Sequence, residues 1–234
     1  MYHFSIELEN VNSCTWGITN WEVKDGFFGA PLADMTPDQA EDARDLLIRK
    51  LSRVVLYTTD LPAADYAAFV RFFRNAHIIG AENVKLSWLS IAGASDAQLQ
   101  KIIAIGASFS IGVLFEPEAE HMDELGLDRY GVLRSDNTGL VYNPNEFLKA
   151  GICPYTNVLS KTKFAPDIRF LRVRDMNGQT FAPAALKKGN SEIKECASKL
   201  LTRTYRGYFS FGAYSDQIPV EQVIRDFAET LCAM

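Results

Sequence analysis

Eight short β-type runs, most of them separated by amphipathic helical stretches, constrain this chain more than any other feature. They span residues 2–8, 20–24, 53–58, 83–88, 110–116, 139–142, 168–174 and 208–211. Several are apolar without a break, as in Val54-Val55-Leu56-Tyr57. A strand with one wet face alternates apolar and polar residues, whereas a strand covered on both faces need not. Strands interleaved with helices make a parallel sheet, either open and doubly wound or closed into a barrel.

The intervening helices carry their own start and stop signals. Thr36-Pro37-Asp38-Gln39 reads as an N-cap, a proline at the first helical position and a capping-box glutamine, opening a helix to about Arg49. Residues 65–79 put Tyr66, Phe69, Val70, Phe73 and His77 on one predicted face, and Gly80 follows as a stop. Ser95-Asp96-Ala97-Gln98 repeats the capping box. Asn190 or Ser191 is expected to start a helix with Ile193, Ala197, Leu200 and Leu201 inward. Pro219 opens the last helix, with Val220, Val223, Ile224, Phe227 and Leu231 at helical spacing. The link between the first two strands has room for only a turn of helix. It lacks the glycine-rich phosphate fingerprint of a dinucleotide-binding fold, offering Gly17 alone.

With 234 residues, 47% of them hydrophobic, the chain supports one sizeable core, and residues 1–234 are read as a single domain. Net charge is −5 and no Lys/Arg-rich run appears, which argues against nucleic acid as a partner. No apolar segment is long enough to span a bilayer, so no membrane is expected. The first residues, Met1-Tyr2-His3-Phe4-Ser5, lack the basic and apolar regions of a signal peptide. Cys14, Cys153, Cys196 and Cys232 show no metal or redox spacing and are read as reduced, mostly buried thiols of a cytoplasmic protein.

Short motifs then recur in a familiar order. Trp16-Gly17-Ile18-Thr19-Asn20-Trp21-Glu22-Val23-Lys24 leads into Leu32-Ala33-Asp34-Met35-Thr36-Pro37. Ile79-Gly80-Ala81-Glu82-Asn83-Val84-Lys85 forms a helix-to-strand passage, and Val113-Leu114-Phe115-Glu116-Pro117 a strand end. Tyr142-Asn143-Pro144-Asn145-Glu146-Phe147, Leu171-Arg172-Val173-Arg174-Asp175 and Tyr205-Arg206-Gly207-Tyr208-Phe209-Ser210-Phe211-Gly212 follow. In order and spacing these resemble the sugar phosphate isomerase/epimerase, or xylose isomerase-like, family from about Ser5 onward. The resemblance implies an α/β fold, a small (β/α)8 TIM barrel. The acidic composition makes the apurinic endonuclease branch of such barrels a poor match.

The resemblance also implies a divalent metal, Mn²⁺ or Mg²⁺, held by a glutamate, an aspartate, a histidine and a second glutamate at the C-terminal strand ends. This chain departs from that pattern. Glu116 stands at the first position, Asn143 at the second, Arg172 at the third and Gly212 at the fourth. A guanidinium stays protonated and cannot ligate. The expectation is therefore a metal-free site in which Arg172 replaces the cation and pairs with Glu116, these two being the candidate catalytic residues. The competing placement makes Arg172 an ordinary rim residue. Glu22, Lys85, Trp88, Asn143, Arg174 and Asp175 are the candidate substrate-binding residues. Trp16, Trp21, Tyr57 and Tyr142 either stack on a sugar ring or fill the barrel.

The function so implied is binding, or isomerisation and epimerisation, of a sugar or sugar phosphate without metal. The alternative is an active metal-dependent sugar isomerase with a rearranged site of Glu22, Glu116, Glu118, His121 and Asp175, using Mn²⁺ or Mg²⁺. A plain interaction module is a third class, and a homodimer is a possible assembly. Phe27 and Phe28 either cap the mouth or make a dimer contact.

Overall fold

The computed structural model describes residues 2–122, 126–212 and 217–234. Its strands are β1 (His3–Glu7), β2 (Asn20–Lys24), β3 (Arg53–Thr59), β4 (Asn83–Leu86), β5 (Gly112–Phe115), β6 (Thr138–Tyr142), β7 (Ile168–Arg172), β8 (Asp175–Met176), β9 (Pro183–Ala184) and β10 (Tyr208–Phe211). The helices are α1 (Pro37–Arg49), α2 (Tyr66–Ile79), α3 (Trp88–Ile91), α4 (Asp96–Ser108), α5 (Leu127–Leu133), α6 (Pro144–Lys149), α7 (Ile193–Leu201) and α8 (Val220–Cys232). Eight strands close into a barrel in the order β1-β10-β7-β6-β5-β4-β3-β2, and β8 and β9 pair as a separate antiparallel hairpin. The fold is a (β/α)8 barrel.

The chain falls into two compact units. One comprises Ser5–Glu116 and Asp128–Gly139. Here β2 pairs parallel with β1 and β3, and β4 with β3 and β5. Val54, Val55, Leu56 and Tyr57 are completely buried, as their unbroken apolarity requires. Both capping boxes form. In each, the Thr36 or Ser95 hydroxyl accepts from the backbone of Gln39 or Gln98, whose side chain accepts from the cap backbone. That satisfies two helix-end donors at once.

Gly106, in the last turn of α4, is there for close approach. A Cβ at this position would lie 2.8 Å from Val113 Cγ2 and 3.0 Å from the Ile111 carbonyl oxygen. The helix lies against β5 at a distance that only a missing side chain permits.

The second unit comprises residues 1–4, Pro117–Leu127 and Leu140–Met234. In it β7 pairs parallel with β6 and β10. Phe4, Phe209, Phe211 and Phe227 form an aromatic cluster with edge-on contacts, Phe4–Phe211 at 5.2 Å and Phe209–Phe227 at 4.9 Å between centroids. The Asp175 carboxylate pins the long excursion after β7, accepting from the amides of Met176, Gly189 and Ser191.

Several sequence-based boundaries shift. The inward face of α2 carries Ala68, Phe69, Phe72, Phe73 and Ala76, whereas Val70 and His77 are exposed. The expected stripe was rotated because it counted His77 as apolar and left out Phe72. Residues 83–88 do not run on as strand: Ser87 ends the extended backbone and Trp88 begins α3. α7 starts at Ile193 rather than beside Asn190 or Ser191, because the Ser191 amide and hydroxyl are spent on Asp175 and Asn145. Only turns link β1 to β2. The cysteines are free, but Cys14, Cys153 and Cys232 are exposed and only Cys196 is buried. Burial pushes the Cys196 thiol well above its usual pKa, which suits a packing role. The β8–β9 hairpin and a π-helical turn at Pro154–Leu159 were not foreseen.

Replacing Gly106 by alanine raises helix propensity by about 1 kcal/mol. The contact with Val113 nevertheless makes Gly106→Ala net destabilising, by about 1–2 kcal/mol, readable as a lower urea midpoint. An unchanged or higher midpoint counts against the close α4–β5 approach.

Candidate functional site

In the first unit, the chemistry-bearing side chains sit at the C-terminal ends of the strands, where barrels carry catalytic groups. Lys85 is the penultimate residue of β4, and Glu116 is the first residue past β5. The neighbouring strands pair with Lys85 opposite Leu114. This register brings Lys85 Nζ to 2.6 Å from Glu116 Oε2, with the two side chains only 13% and 9% exposed. Nitrogen and oxygen so close make a charge-assisted hydrogen bond shielded from most of the screening by solvent.

Glu22 of β2 is buried, and its Oε1 accepts from the Ser5 hydroxyl at 2.6 Å. Just past β2, Asp25 accepts from the Thr59 hydroxyl at 2.7 Å and the Leu32 amide at 3.1 Å. Burial raises the Asp25 pKa above its ordinary value, with the hydrogen bonds from Thr59 and Leu32 opposing the rise and the Asp60 charge adding to it. The pKa of the Tyr57 hydroxyl is pushed up by burial and then by the Asp25 charge, so it stays protonated. Trp21 is buried and packs edge-on against Phe27, which in turn meets Phe28 at 4.9 Å. These aromatics pack on one another. Trp88 is half-buried and Trp16 exposed.

In the second unit, Arg172 ends β7 opposite Ser210 of β10, and its Nη1 donates to the Ser210 hydroxyl at 2.5 Å. The Arg172 residue is 2% exposed, which overturns its placement as an ordinary rim residue. Asn143 is buried at the start of α6, and Gly212 directly follows β10. Tyr142 is buried, donates to the Pro154 carbonyl at 2.6 Å and stacks on Phe147, so it packs. Arg174 is half-buried two residues past β7. Asp175 is committed to backbone amides and shapes the loop.

The structure thus joins Lys85 to Glu116 and Arg172 to Ser210. Three participants escaped the sequence reading: Ser5, Ser210 and Asp25. A partial signal for the serines was present: Ser5 stands between Phe4 and Ile6, and Ser210 between Phe209 and Phe211.

The resemblance singles out four positions for metal ligands: Glu116, Asn143, Arg172 and Gly212. One carboxylate remains at the four positions, and an ammonium already lies against it. Two like charges cannot share that oxygen without strong repulsion. Among the described residues, no group of three or more His, Cys, Asp and Glu side chains is gathered as metal ligands would be. A depression of about 430 Å³ lined by Gln100, Ile103, Val132 and Asn137 lies near the N-terminal ends of β5 and β6, at the other end of these strands from the ion pair.

No family model and no curated protein matches the sequence. Solved structures do match over nearly the whole chain. A xylose isomerase domain protein from Planctomyces limnophilus is 15% identical, with 98% of this chain and 95% of that one covered and a TM-score of 0.71. A D-tagatose 3-epimerase-like protein is 16% identical over 98% and 97%, with a TM-score of 0.72. An AP endonuclease, family 2, from Brucella melitensis is 15% identical over 98% and 99%, with a TM-score of 0.65. The chain therefore has the xylose isomerase-like TIM-barrel fold. One fold serving such differently named proteins shows why function must be argued from side chains. Among the described residues, no helix is long and apolar enough to cross a membrane.

Breaking a buried pair from one side leaves the other charge without that partner. Lys85→Met should lower unfolding free energy by about 3 kcal/mol, and combining it with Glu116→Gln should restore most of that. A denaturant double-mutant cycle with additive losses would show that the pair contributes no coupling.

Proposed function

We propose that the chain binds a sugar or sugar derivative at the C-terminal strand ends. Where it turns substrate over, it acts as an isomerase or epimerase of a hydroxy-carbonyl compound without a divalent metal. The fold shared with sugar-isomerase-like barrels supports the substrate class. The observation that carries the metal-free reading is the ammonium of Lys85 seated on Glu116.

Isomerisation next to a carbonyl needs a base for the carbon-bound proton and a positive group for the oxygen that gains charge. Glu116 serves as the base. Lys85 donates a hydrogen bond to the developing oxyanion, the task a Lewis-acidic ion performs in metal-dependent isomerases. Glu22, held by Ser5, orients substrate hydroxyls by accepting from them. In the other unit, Arg174 has planar donors suited to a phosphate or carboxylate. Trp88 completes the proposed binding set beside Lys85 and Glu116. The acidic net charge of −5 favours a small molecule over nucleic acid.

A thermal-shift panel of ketoses, pentoses and sugar phosphates tests this, with NMR of each mixture to detect isomerised product. At least one member should raise the melting temperature, by as much as about 2.7 kcal/mol of added stability at a hundredfold excess over Kd. Any turnover should persist in chelator. A panel that stabilises nothing overturns the sugar-binding reading. Turnover abolished by chelation favours a metal-dependent isomerase instead.

A further inference from the structure

We propose that Lys85 captures its substrate covalently, condensing with the carbonyl carbon of a hydroxy-aldehyde or hydroxy-ketone to form an imine. This deepens the functional reading above and rests on its sugar-binding site, with the covalent C=N bond replacing the oxyanion hydrogen bond as the role of Lys85. Lys85 Nζ lies 2.6 Å from a carboxylate that can take its proton, and both side chains are largely enclosed. Lys85 sits within β4 and Glu116 directly after β5, so the pair is positioned by paired strands and not by a long loop. That rigidity is what a reacting pair needs. A barrel without a Lewis acid must activate a carbonyl by other means, and an amine beside a base is such a means.

The ammonium first passes a proton to Glu116. The freed nitrogen pair attacks the carbonyl carbon, the C=O π pair moves to oxygen, and oxygen takes the proton back from Glu116. Glu116 then removes a second proton from nitrogen and delivers it to the new hydroxyl. Water leaves as the nitrogen pair closes the C=N bond. One ammonium and one carbonyl become one protonated imine and one water, and Glu116 ends as the carboxylate it was. The positive charge beside Glu116 is the same before and after, so the buried carboxylate keeps its cation at both ends of the sequence. The protonated imine acidifies the neighbouring C–H, which places Glu116 to remove that proton without an ion.

Trapping tests the idea. The wild-type protein is incubated with dihydroxyacetone and sodium cyanoborohydride, and the modified lysines are mapped by peptide mass spectrometry. Lys85 should be labelled at least about tenfold faster than exposed Lys50 and Lys188, because its base is already in place. Glu116→Gln should slow labelling at Lys85 by about tenfold and leave Lys50 unchanged. Labelling of Lys85 no faster than that of the exposed lysines overturns the proposal. Melting temperatures from the sugar panel on the same preparation separate the two failures. Stabilisation by a sugar without label at Lys85 removes the imine and leaves the binding reading. Neither stabilisation nor label removes both.

Discussion

A lysine and a glutamate enclosed together at the ends of adjacent strands set the terms for everything else at this site. Moving two such charges out of water costs several kcal/mol each, and only short, well-directed contact offsets that loss. The Lys85–Glu116 contact meets the condition. It also fixes the local chemistry. A carboxylate that holds an ammonium has its charge neutralised from within the chain, and a divalent ion approaching it must first displace that ammonium.

The barrel makes such a contact possible. Strands covered on both faces form a stiff frame, and the residues at their C-terminal ends inherit its register. Lys85 and Glu116 lie on strands paired through Lys85 and Leu114. Arg172 and Ser210 lie opposite each other on β7 and β10. Each unit thus holds a cation at its strand ends by the same device, one strand presenting the charge and the next presenting its partner. Elsewhere the aromatic cluster of Phe4, Phe209, Phe211 and Phe227 and the close packing over Gly106 keep the frame from yielding.

Much of this frame was legible in the sequence because its signals are local. An unbroken apolar run marked β3, and Thr36 and Ser95 with their glutamines marked two helix starts to the residue. The short helices α3 and α6 went unread although Ser87 and Asn143-Pro144 stand at their starts, where no side-chain cap hydrogen bond forms, and the rotated face of α2 shows how one misjudged histidine moves a stripe. At the site, the sequence singled out Lys85, Glu116 and Arg172 as strand-end residues. It proposed Arg172 as the partner of Glu116 and did not foresee that Lys85 lies against that carboxylate. Which ammonium reaches which carboxylate depends on strand register and side-chain length, and these are tertiary quantities. The hydroxyls of Ser5 and Ser210 were readable only as small polar residues between apolar neighbours, with nothing local to name their partners.

The account stands on Lys85 taking the place of a bound ion at Glu116. Calorimetric titration of Mn²⁺ into chelator-treated protein measures this most directly. The account predicts no saturable heat at micromolar metal. Saturable binding that Glu116→Gln abolishes would contradict it, since the carboxylate would then be a metal ligand.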